Sequence, residues 1–230
     1  MKLGGLQKTS LIDYPEKISA IVWTVGCNFR CPFCYNKEVV IGDVELIPEQ
    51  EVFSFLKKRK NMLEGLVITG GEPLLHDDIK NFCEKVKELD YLVKIDTNGT
   101  FPEMLQKLIH DGLVDYIAMD VKAPLSKYEK ITNVKLDVGK IKSSIKIIRS
   151  SSVDYEFRTT FVPGFLKMQD IIEIAGLLKG AKRFYLQQFK PISPMLSRDL
   201  EKVEPYNKDY LFETLEKIKP YFEICDIRGL

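Results

Sequence analysis

A chain of 230 residues with an apolar content of 45% is long enough to bury one core, and it predicts a single domain over 1–230. The net charge of +1 gives no reason to expect binding to nucleic acid or to an anionic membrane. No apolar run reaches the roughly eighteen residues of a membrane span, and residues 1–5 lack the apolar core of a secretion signal. Five cysteines, an odd number, favour a reducing compartment, so the sequence predicts a cytoplasmic protein.

The predicted elements alternate between strand and helix along the chain. A β-branched and aromatic run predicts the first strand at 18–25. Five more strands are predicted at 65–69, 91–95, 114–119, 155–162 and 183–189. Apolar residues at helical spacing predict helices at 47–60, 76–89, 102–110, 137–150 and 168–179. Beyond a core of about 16–190, the C-terminal part at 205–230 is predicted to add a helix at 208–218 and an edge strand at 221–227.

Strict alternation of strands and helices predicts parallel strands joined by right-handed crossovers, and therefore an α/β fold. Six β/α units are too few to close an eight-stranded barrel. Two arrangements remain open at this point, an open six-stranded partial barrel and a doubly wound sheet. In both, ligands bind at the carboxyl ends of the strands.

Three of the five cysteines follow the first predicted strand, with the spacing C-x3-C-x2-C (Cys27, Cys31 and Cys34). Cysteine thiolates hold iron–sulfur clusters, and three of them on one loop leave the fourth iron of a cubane open to a small molecule. Ferredoxins and structural zinc sites use other spacings and complete the shell with a fourth ligand. A zinc knuckle or three ordinary reduced thiols are the alternatives. The other cysteines and the histidines are isolated and are predicted to be buried thiols and helix-end residues: Cys83, Cys225, His76 and His110.

Unusual residues also follow the later strands. Gly70-Gly71-Glu72-Pro73 follows the second predicted strand, Asp96-Thr97-Asn98-Gly99 the third, and Asp120-Val121-Lys122 the fourth. The fifth strand carries Arg158 and ends at Pro163-Gly164. Each motif has an ordinary interpretation as a turn or an exposed strand residue. Because all of them follow strands, they are predicted to meet at one rim, where two nearby carboxylates would need a cation or a lysine between them.

The cysteine motif, with aromatic Phe33 before its last cysteine, resembles the signature of the radical S-adenosylmethionine (SAM) enzymes. The stretch Gly5–Pro15 (GLQKTSLIDYP) resembles more narrowly the glycyl-radical-enzyme activating family, closest to the anaerobic ribonucleoside-triphosphate reductase activating proteins. The resemblance covers most of 5–190. It implies the open partial (β/α)6 barrel, of the TIM-like radical SAM type. It also implies one 4Fe-4S cluster with three cysteine ligands and SAM as the second cofactor.

The resemblance further implies roles for the rim residues. Bare backbone at Gly70 and Gly71 would lie at the amino group of SAM, because glycine allows so close an approach. Glu72 would orient that loop, and Phe33 would lie near the adenine with Tyr35 on the other side of Cys34. The remaining predicted SAM-binding residues are Asp96, Thr97, Asp120, Val121 and Lys122, which resemble a monovalent-cation and SAM site near Asp96 and Asp120.

Two positions on the last predicted strands complete the expected site. Arg158 belongs to an R-x4-P-G pattern and is predicted to bind the SAM carboxylate as a two-pronged donor. On the sixth strand, the histidine expected by resemblance is missing, and Gln187-Gln188-Phe189-Lys190 stands there instead. Gln188 is the predicted substitute at the adenosine.

The resemblance implies an anaerobic oxidoreductase that cleaves SAM reductively and uses the 5′-deoxyadenosyl radical to form a glycyl radical on a partner enzyme. The partner would be anaerobic ribonucleotide reductase. Flavodoxin or ferredoxin would supply the electron, docking near Arg30 and Lys37. One alternative is a radical SAM enzyme acting on a small molecule, similar to 7-carboxy-7-deazaguanine synthase. Another is a non-catalytic iron–sulfur electron carrier.

Overall fold

The fold is known from a computed structural model that describes residues 1–192 and 194–230. Eight strands form one sheet, in which the order of the strands follows the chain. The first pair is antiparallel, and every later pair is parallel. The strands are β1 (Leu3–Ser10), β2 (Ser19–Thr24), β3 (Gly65–Gly70), β4 (Leu92–Thr97), β5 (Tyr116–Asp120), β6 (Asp154–Phe161), β7 (Arg183–Gln188) and β8 (Ile224–Arg228).

Helices connect the parallel strands and cover the outside of the sheet. They are α1 (Lys37–Ile41), α2 (Glu49–Lys58), α3 (Ile79–Lys87), α4 (Pro102–His110), α5 (Tyr128–Thr132), α6 (Val138–Ser150), α7 (Met168–Leu177) and α8 (Lys208–Ile218). Local chemistry fixes several of their starts. Pro102 opens α4, while the side chains of Asp137 and Asn207 accept hydrogen bonds from the first turns of α6 and α8.

The sheet curls into an open barrel. Side chains of β2, β4, β6 and β7 line one shared cavity, which a flat sheet could not enclose. Among the described residues, the edge strands β1 and β8 do not pair with each other, so one side of the barrel stays open. The open-barrel prediction is therefore confirmed, and the doubly wound alternative is wrong.

Apolar packing occurs both outside and inside the barrel. The larger core lies between the sheet and the helices and joins all parts of the barrel. A smaller cluster within the barrel consists of Tyr14, Ile21, Val67 and Tyr116. Tyr14 lies in the connection between β1 and β2. This connection enters β2 at the end of the strand opposite the cysteine loop. The cluster thus fills the end of the barrel opposite the cysteine loop, and the cavity opens towards the cysteines.

All six predicted core strands are present as β2–β7, and the predicted edge strand is present as β8. The structure adds β1, which the sequence analysis did not predict, and two short helices, α1 and α5. None of the helices in the described part of the chain combines the length and the apolar character needed to cross a membrane.

Candidate functional site

The cysteine loop begins where β2 ends, at a turn that requires glycine. Gly26 has φ +98°, a left-handed conformation that glycine adopts without strain, and its N–H donates to the carbonyl of Val39 (2.9 Å). The three motif cysteines that follow are free and line the same cavity. Cys31 is buried, whereas Cys27 and Cys34 are partly exposed. The structure therefore brings the three predicted ligands together on one wall.

Distant parts of the chain hold this loop in place. The N–H of Arg30 donates to the carbonyl of Thr132 at the end of α5 (2.9 Å). Leu196 and Ser197, which follow β7, donate their N–H groups to the carbonyls of Cys34 (3.3 Å) and Pro32 (2.9 Å). These backbone hydrogen bonds fix the loop without using the thiols.

Burial raises the pKa of all three thiols, to about 11 for Cys27 and about 12 for Cys31, with Cys34 shifted in the same direction. At neutral pH they are therefore protonated until a metal displaces the protons. No three His, Cys, Asp or Glu side chains in the described ranges converge as they would around one metal ion. A cubane places its three thiolates on separate iron atoms, and three reduced thiols around a shared cavity fit that donor set.

Gly70 and Gly71 pack backbone against backbone on the start of the cysteine loop. Gly70 has φ +117°, and a Cβ there would lie 2.5 Å from the N atom of Thr24. A Cβ on Gly71 would lie 1.8 Å from the carbonyl oxygen of Gly26. Both positions therefore require glycine, and both residues line the cavity. The neighbouring backbone alone thus accounts for both glycines, and the predicted approach of SAM to them stays a prediction.

Glu72 joins this loop to the loop after β4. Its side chain is 1% exposed and accepts hydrogen bonds from Thr97 Oγ1 (2.7 Å), Asn98 N (2.7 Å) and Leu74 N (3.2 Å). Asn98 in turn donates through Nδ2 to Asn28 Oδ1 in the cysteine loop (2.8 Å). Burial raises the pKa of Glu72 to about 7, although these three donors favour the ionised form. Glu72 thus connects its own loop to the end of β4 and to the loop that follows, and its predicted orienting role stays a prediction.

Arg158 lies between the two rim carboxylates. Its Nε and Nη2 donate to both oxygens of Asp120 (3.2 and 3.1 Å), and its Nη1 donates to Asp96 (3.3 Å). Lys94, 1% exposed, pairs with Asp96, and Lys122 Nζ lies 3.4 Å from Asp120. Charged side chains thus supply the positive charge that the two carboxylates need, and the predicted bound cation stays a prediction.

Electrostatics in this network outweigh burial. Burial alone would raise the pKa of Asp120, but Arg158 and Lys122 lower it to about 2. The pKa of Asp96 falls for the same reason, owing to Arg158 and Lys94. Burial lowers the pKa of Lys122, yet the Asp120 carboxylate outweighs it and the net shift is upward. The carboxylates and the ammonium are therefore all charged at neutral pH.

The cavity has a volume of about 400 Å³, within the range of small-molecule sites. Phe33 and Tyr35 line it beside Cys34. The Phe33 ring packs against Phe165, and the Tyr35 hydroxyl accepts a hydrogen bond from Lys190 N (2.9 Å). Thr97, Asp120 and Lys122 line the cavity as well. Val121 is fully buried outside it, and its backbone N–H donates to the carbonyl of Arg158 (2.8 Å).

The structure corrects the position predicted on the sixth strand. Gln187 lines the cavity, whereas Gln188 lies outside it and donates through Nε2 to the carbonyl of Tyr206 (2.8 Å). Successive strand residues point to opposite faces, so neighbouring positions cannot exchange roles. Phe184 and Leu186, both fully buried, share the outer face with Gln188. Their apolar character could have shown which residues of this strand face outward.

Sequence reasoning missed Lys94, Thr160, Trp23 and Asp13, and it gave Asn98 no role beyond its motif. Lys94 and Asn98 enter the networks described above, and the other three line the cavity. The isolated residues lie outside the cavity: Cys83, Cys225, His76 and His110. Cys83 is buried as predicted, whereas Cys225 on the edge strand β8 is partly exposed.

The chain matches the Radical SAM superfamily over residues 21–178 and therefore belongs to it. It is 36% identical over 234 aligned positions to the "putative glycyl-radical enzyme activating enzyme" of Methanocaldococcus jannaschii, which covers 99% of this chain and 96% of the relative. It is 29% identical over 208 positions to the 7-carboxy-7-deazaguanine synthase of Clostridium acetobutylicum (88% and 87% covered).

A structural comparison supports the same fold. Streptococcus suis SuiB, in its crystal structure with the precursor peptide SuiA, superposes with a TM-score of 0.64 at 15% identity. The match covers 90% of this chain and 47% of SuiB. Membership of the superfamily makes the protein a radical SAM enzyme and implies a 4Fe-4S cluster and SAM.

Proposed function

We propose that this protein is a glycyl-radical-enzyme activating enzyme, with anaerobic ribonucleotide reductase as its partner. One observation carries the proposal: the 36% identity to an activating-enzyme relative extends over 99% of the chain. The three-thiol loop beside an open cavity suits this task. When bound, the cluster supplies the electron that splits SAM.

The residues of the chain bind and orient the two cofactors in this proposal. Cys27, Cys31 and Cys34 hold the cluster. Gly70 and Gly71 place backbone at the amino group of SAM, and Lys122 faces its carboxylate. Arg158 holds Asp96 and Asp120 in position and thereby also positions Lys122. Phe33, Tyr35 and, in place of Gln188, Gln187 contact the adenosine.

The partner and the electron donor complete the proposal. A polypeptide loop can enter through the open side of the barrel, between β1 and β8. Flavodoxin or ferredoxin supplies the electron from the side of Lys37, because Arg30 Nη1 already donates to the carbonyls of Cys27 (2.6 Å) and Phe29 (2.7 Å). We place the protein in the cytoplasm of an anaerobically growing cell, with a monovalent cation near Asp96 and Asp120.

A radical SAM enzyme acting on a small molecule is the second candidate. The 29% identity to a 7-carboxy-7-deazaguanine synthase covers 88% of the chain and favours it. The two candidates differ in whether the hydrogen donor is a polypeptide glycine or a metabolite.

The test uses anaerobically reconstituted enzyme, SAM, dithionite and the anaerobic ribonucleotide reductase of the same organism. A glycyl-radical doublet in the electron paramagnetic resonance spectrum, together with 5′-deoxyadenosine, is the expected result. Cys31→Ala should abolish both products, because the cluster loses one of its three ligands. Cys83→Ala is the matched control, since Cys83 lies outside the cavity and should leave both products intact.

The other outcomes separate the candidates. 5′-Deoxyadenosine without the doublet would reject the reductase as the partner and favour another glycyl-radical enzyme or a small substrate. Neither product, from protein with a full cluster, would leave a non-catalytic electron carrier as the better account.

A further inference from the structure

Trp23 is a cavity residue without a role in cofactor binding. It is the one tryptophan of the chain, lies on β2 opposite Thr69 of β3, and is partly exposed. Ile21, two residues earlier, and Asp13 line the cavity with it. Thr24, the next residue, pairs with Gly70. The indole therefore lies one residue below the rim at which SAM is proposed to bind.

Trp23 packs on the apolar cluster inside the barrel, but Gly5 leaves the part of the indole that it faces without a covering side chain. Gly5 pairs with Trp23 across β1 and β2, and a Cβ on Gly5 would lie 3.2 Å from Trp23 Cε3. Any side chain at this position would therefore rest against the ring. The backbone does not explain the glycine, because φ of Gly5 lies outside the left-handed region. Packing against another residue explains the neighbouring glycine, Gly4, because a Cβ there would lie 2.7 Å from Val44 Cγ2.

The pair lies beside the open side of the barrel. β1 is one edge of the sheet, and β8 is the other. Gly5 and Trp23 lie on the β1 side of this opening, and Trp23 lines the cavity that also contains the cysteine loop. The part of the cavity formed by β4, β5 and β6 is charged, and its carboxylates are already paired with Arg158.

We infer that Gly5, Trp23 and Asp13 form the receiving surface for the glycine-bearing backbone segment of the partner enzyme; this inference rests on the proposed function. A residue without a side chain brings its α-carbon against the flat indole, whereas a larger residue is held away. One oxygen of the Asp13 carboxylate accepts a hydrogen bond from Ser10 Oγ, and the other accepts one from an N–H group of the extended segment. Trp23 is thus a positioning and specificity residue.

A purely structural role predicts something different. Aromatic side chains often pack on glycines of edge strands and stabilise the sheet. In that case, Trp23→Ala and Gly5→Leu would lower the melting temperature without a selective effect on the partner. The test therefore needs a measurement that separates recognition from folding.

The experiment measures glycyl-radical formation by reconstituted enzyme as a function of the concentration of the reductase. Trp23→Ala should raise the KM for the reductase about tenfold or more, as expected for loss of a buried aromatic contact. Trp23→Phe should restore it to within about twofold. Gly5→Leu should raise it as well, because the leucine covers the ring. Gly176→Leu is the matched control, since Gly176 on α7 has open space around its Cβ position.

A second readout needs no activity. A tryptophan-free peptide of about ten residues with a central glycine, copied from the reductase, should shift the fluorescence of Trp23 in the wild type. The same peptide with valine at the centre should bind at least about tenfold more weakly. Gly5→Leu should abolish the shift while its melting temperature stays close to that of the wild type.

The possible failures are distinct. If the wild type forms no glycyl radical, the proposed function fails and this inference falls with it. If the wild type forms the radical while both variants keep the wild-type KM for the reductase, only the inference is overturned. An equal rise in KM for SAM and for the reductase would also overturn it, because the defect would then lie in folding or cofactor binding. If Trp23→Ala does not fold, Gly5→Leu and the peptide titration decide.

Discussion

One buried residue, Glu72, connects three parts of the site. Its side chain accepts hydrogen bonds from Thr97 at the end of β4, from Asn98 in the next loop and from Leu74, and its backbone N–H donates to the carbonyl of Gly26 (2.9 Å). Its pKa is raised to about 7, which means that the folded protein holds a proton there that the unfolded chain releases near its ordinary value of 4.5. Stability and site geometry are therefore linked to pH through this residue.

We predict that Glu72 makes the unliganded protein less stable as the pH rises from 4.5 to 7. A raised carboxyl pKa stabilises the fold at low pH, and this contribution is lost as the pH passes the folded-state pKa. A shift from 4.5 to about 7 corresponds to about 3 kcal/mol. In urea unfolding across this range, the free energy of unfolding should fall with rising pH in the wild type, and this decrease should be lost in Glu72→Gln. Parallel curves for the two proteins would contradict the prediction.

At the residue scale, the sequence predicted the rim motifs well and their connections poorly. The cysteines, Gly70, Asp120 and Lys122 line one cavity because each lies at or just after the carboxyl end of a strand, and parallel strands end at the same rim. The contact between Glu72 and Asn98 joins residues of different loops, for which no local pattern exists. Lys94 was missed because a lysine within a strand predicts an exposed side chain, whereas its charge is paired inside the barrel.

Among the elements, β8 shows how one ion pair attaches a strand to the barrel. Arg228 donates through both terminal nitrogens to Glu156 of β6 (2.6 and 2.9 Å), and its guanidinium carbon lies 3.4 Å from the ring centroid of Tyr185. Glu156 is 1% exposed and also accepts a hydrogen bond from Tyr116 (2.9 Å). The strand is thus attached by side chains in addition to its pairing with β7.

We predict that Arg228→Ala destabilises the protein by about 3 kcal/mol, because it leaves the buried Glu156 carboxylate without its main partner. The matched control is Lys217→Ala, which removes an exposed pair with Glu213 (2.9 Å) and should cost less than about 1 kcal/mol. Urea unfolding gives both values, and hydrogen exchange should show faster exchange in β8 of Arg228→Ala only. Equal losses in the two variants would show that the pair does not attach the strand.

Element prediction succeeded wherever apolar residues recur with a clear period. Helices α4 and α8 have the predicted bounds, and each end of the strands β2–β7 lies within about two residues of its predicted position. Strand β1 was missed for a physical reason. It contains Gly4 and Gly5, and its second half is polar and exposed, so it lacks the composition that indicates a strand. Its formation depends on pairing with β2, which is a tertiary interaction.

The whole molecule shares one large apolar core, which includes residues from Leu3 to Ile218. We therefore predict that the unliganded protein unfolds in one cooperative step, as the single-domain prediction requires. Trp23 fluorescence reports on β2, whereas far-ultraviolet circular dichroism reports on all helices and strands, and the two denaturant midpoints should coincide. Separate midpoints would show that the C-terminal part at 205–230 is an independent unit.

Because the strands lie in the sheet in the order of the chain, the ribosome releases them in the order in which they pair. The cysteine loop emerges with the second strand, whereas Leu196 and Ser197, which bind its backbone, follow about 160 residues later. At 5–20 residues per second, this delay lasts roughly ten to thirty seconds. During translation, the nascent thiols are thus accessible to iron delivery, and to oxidation, before the segment that fixes their loop has been made.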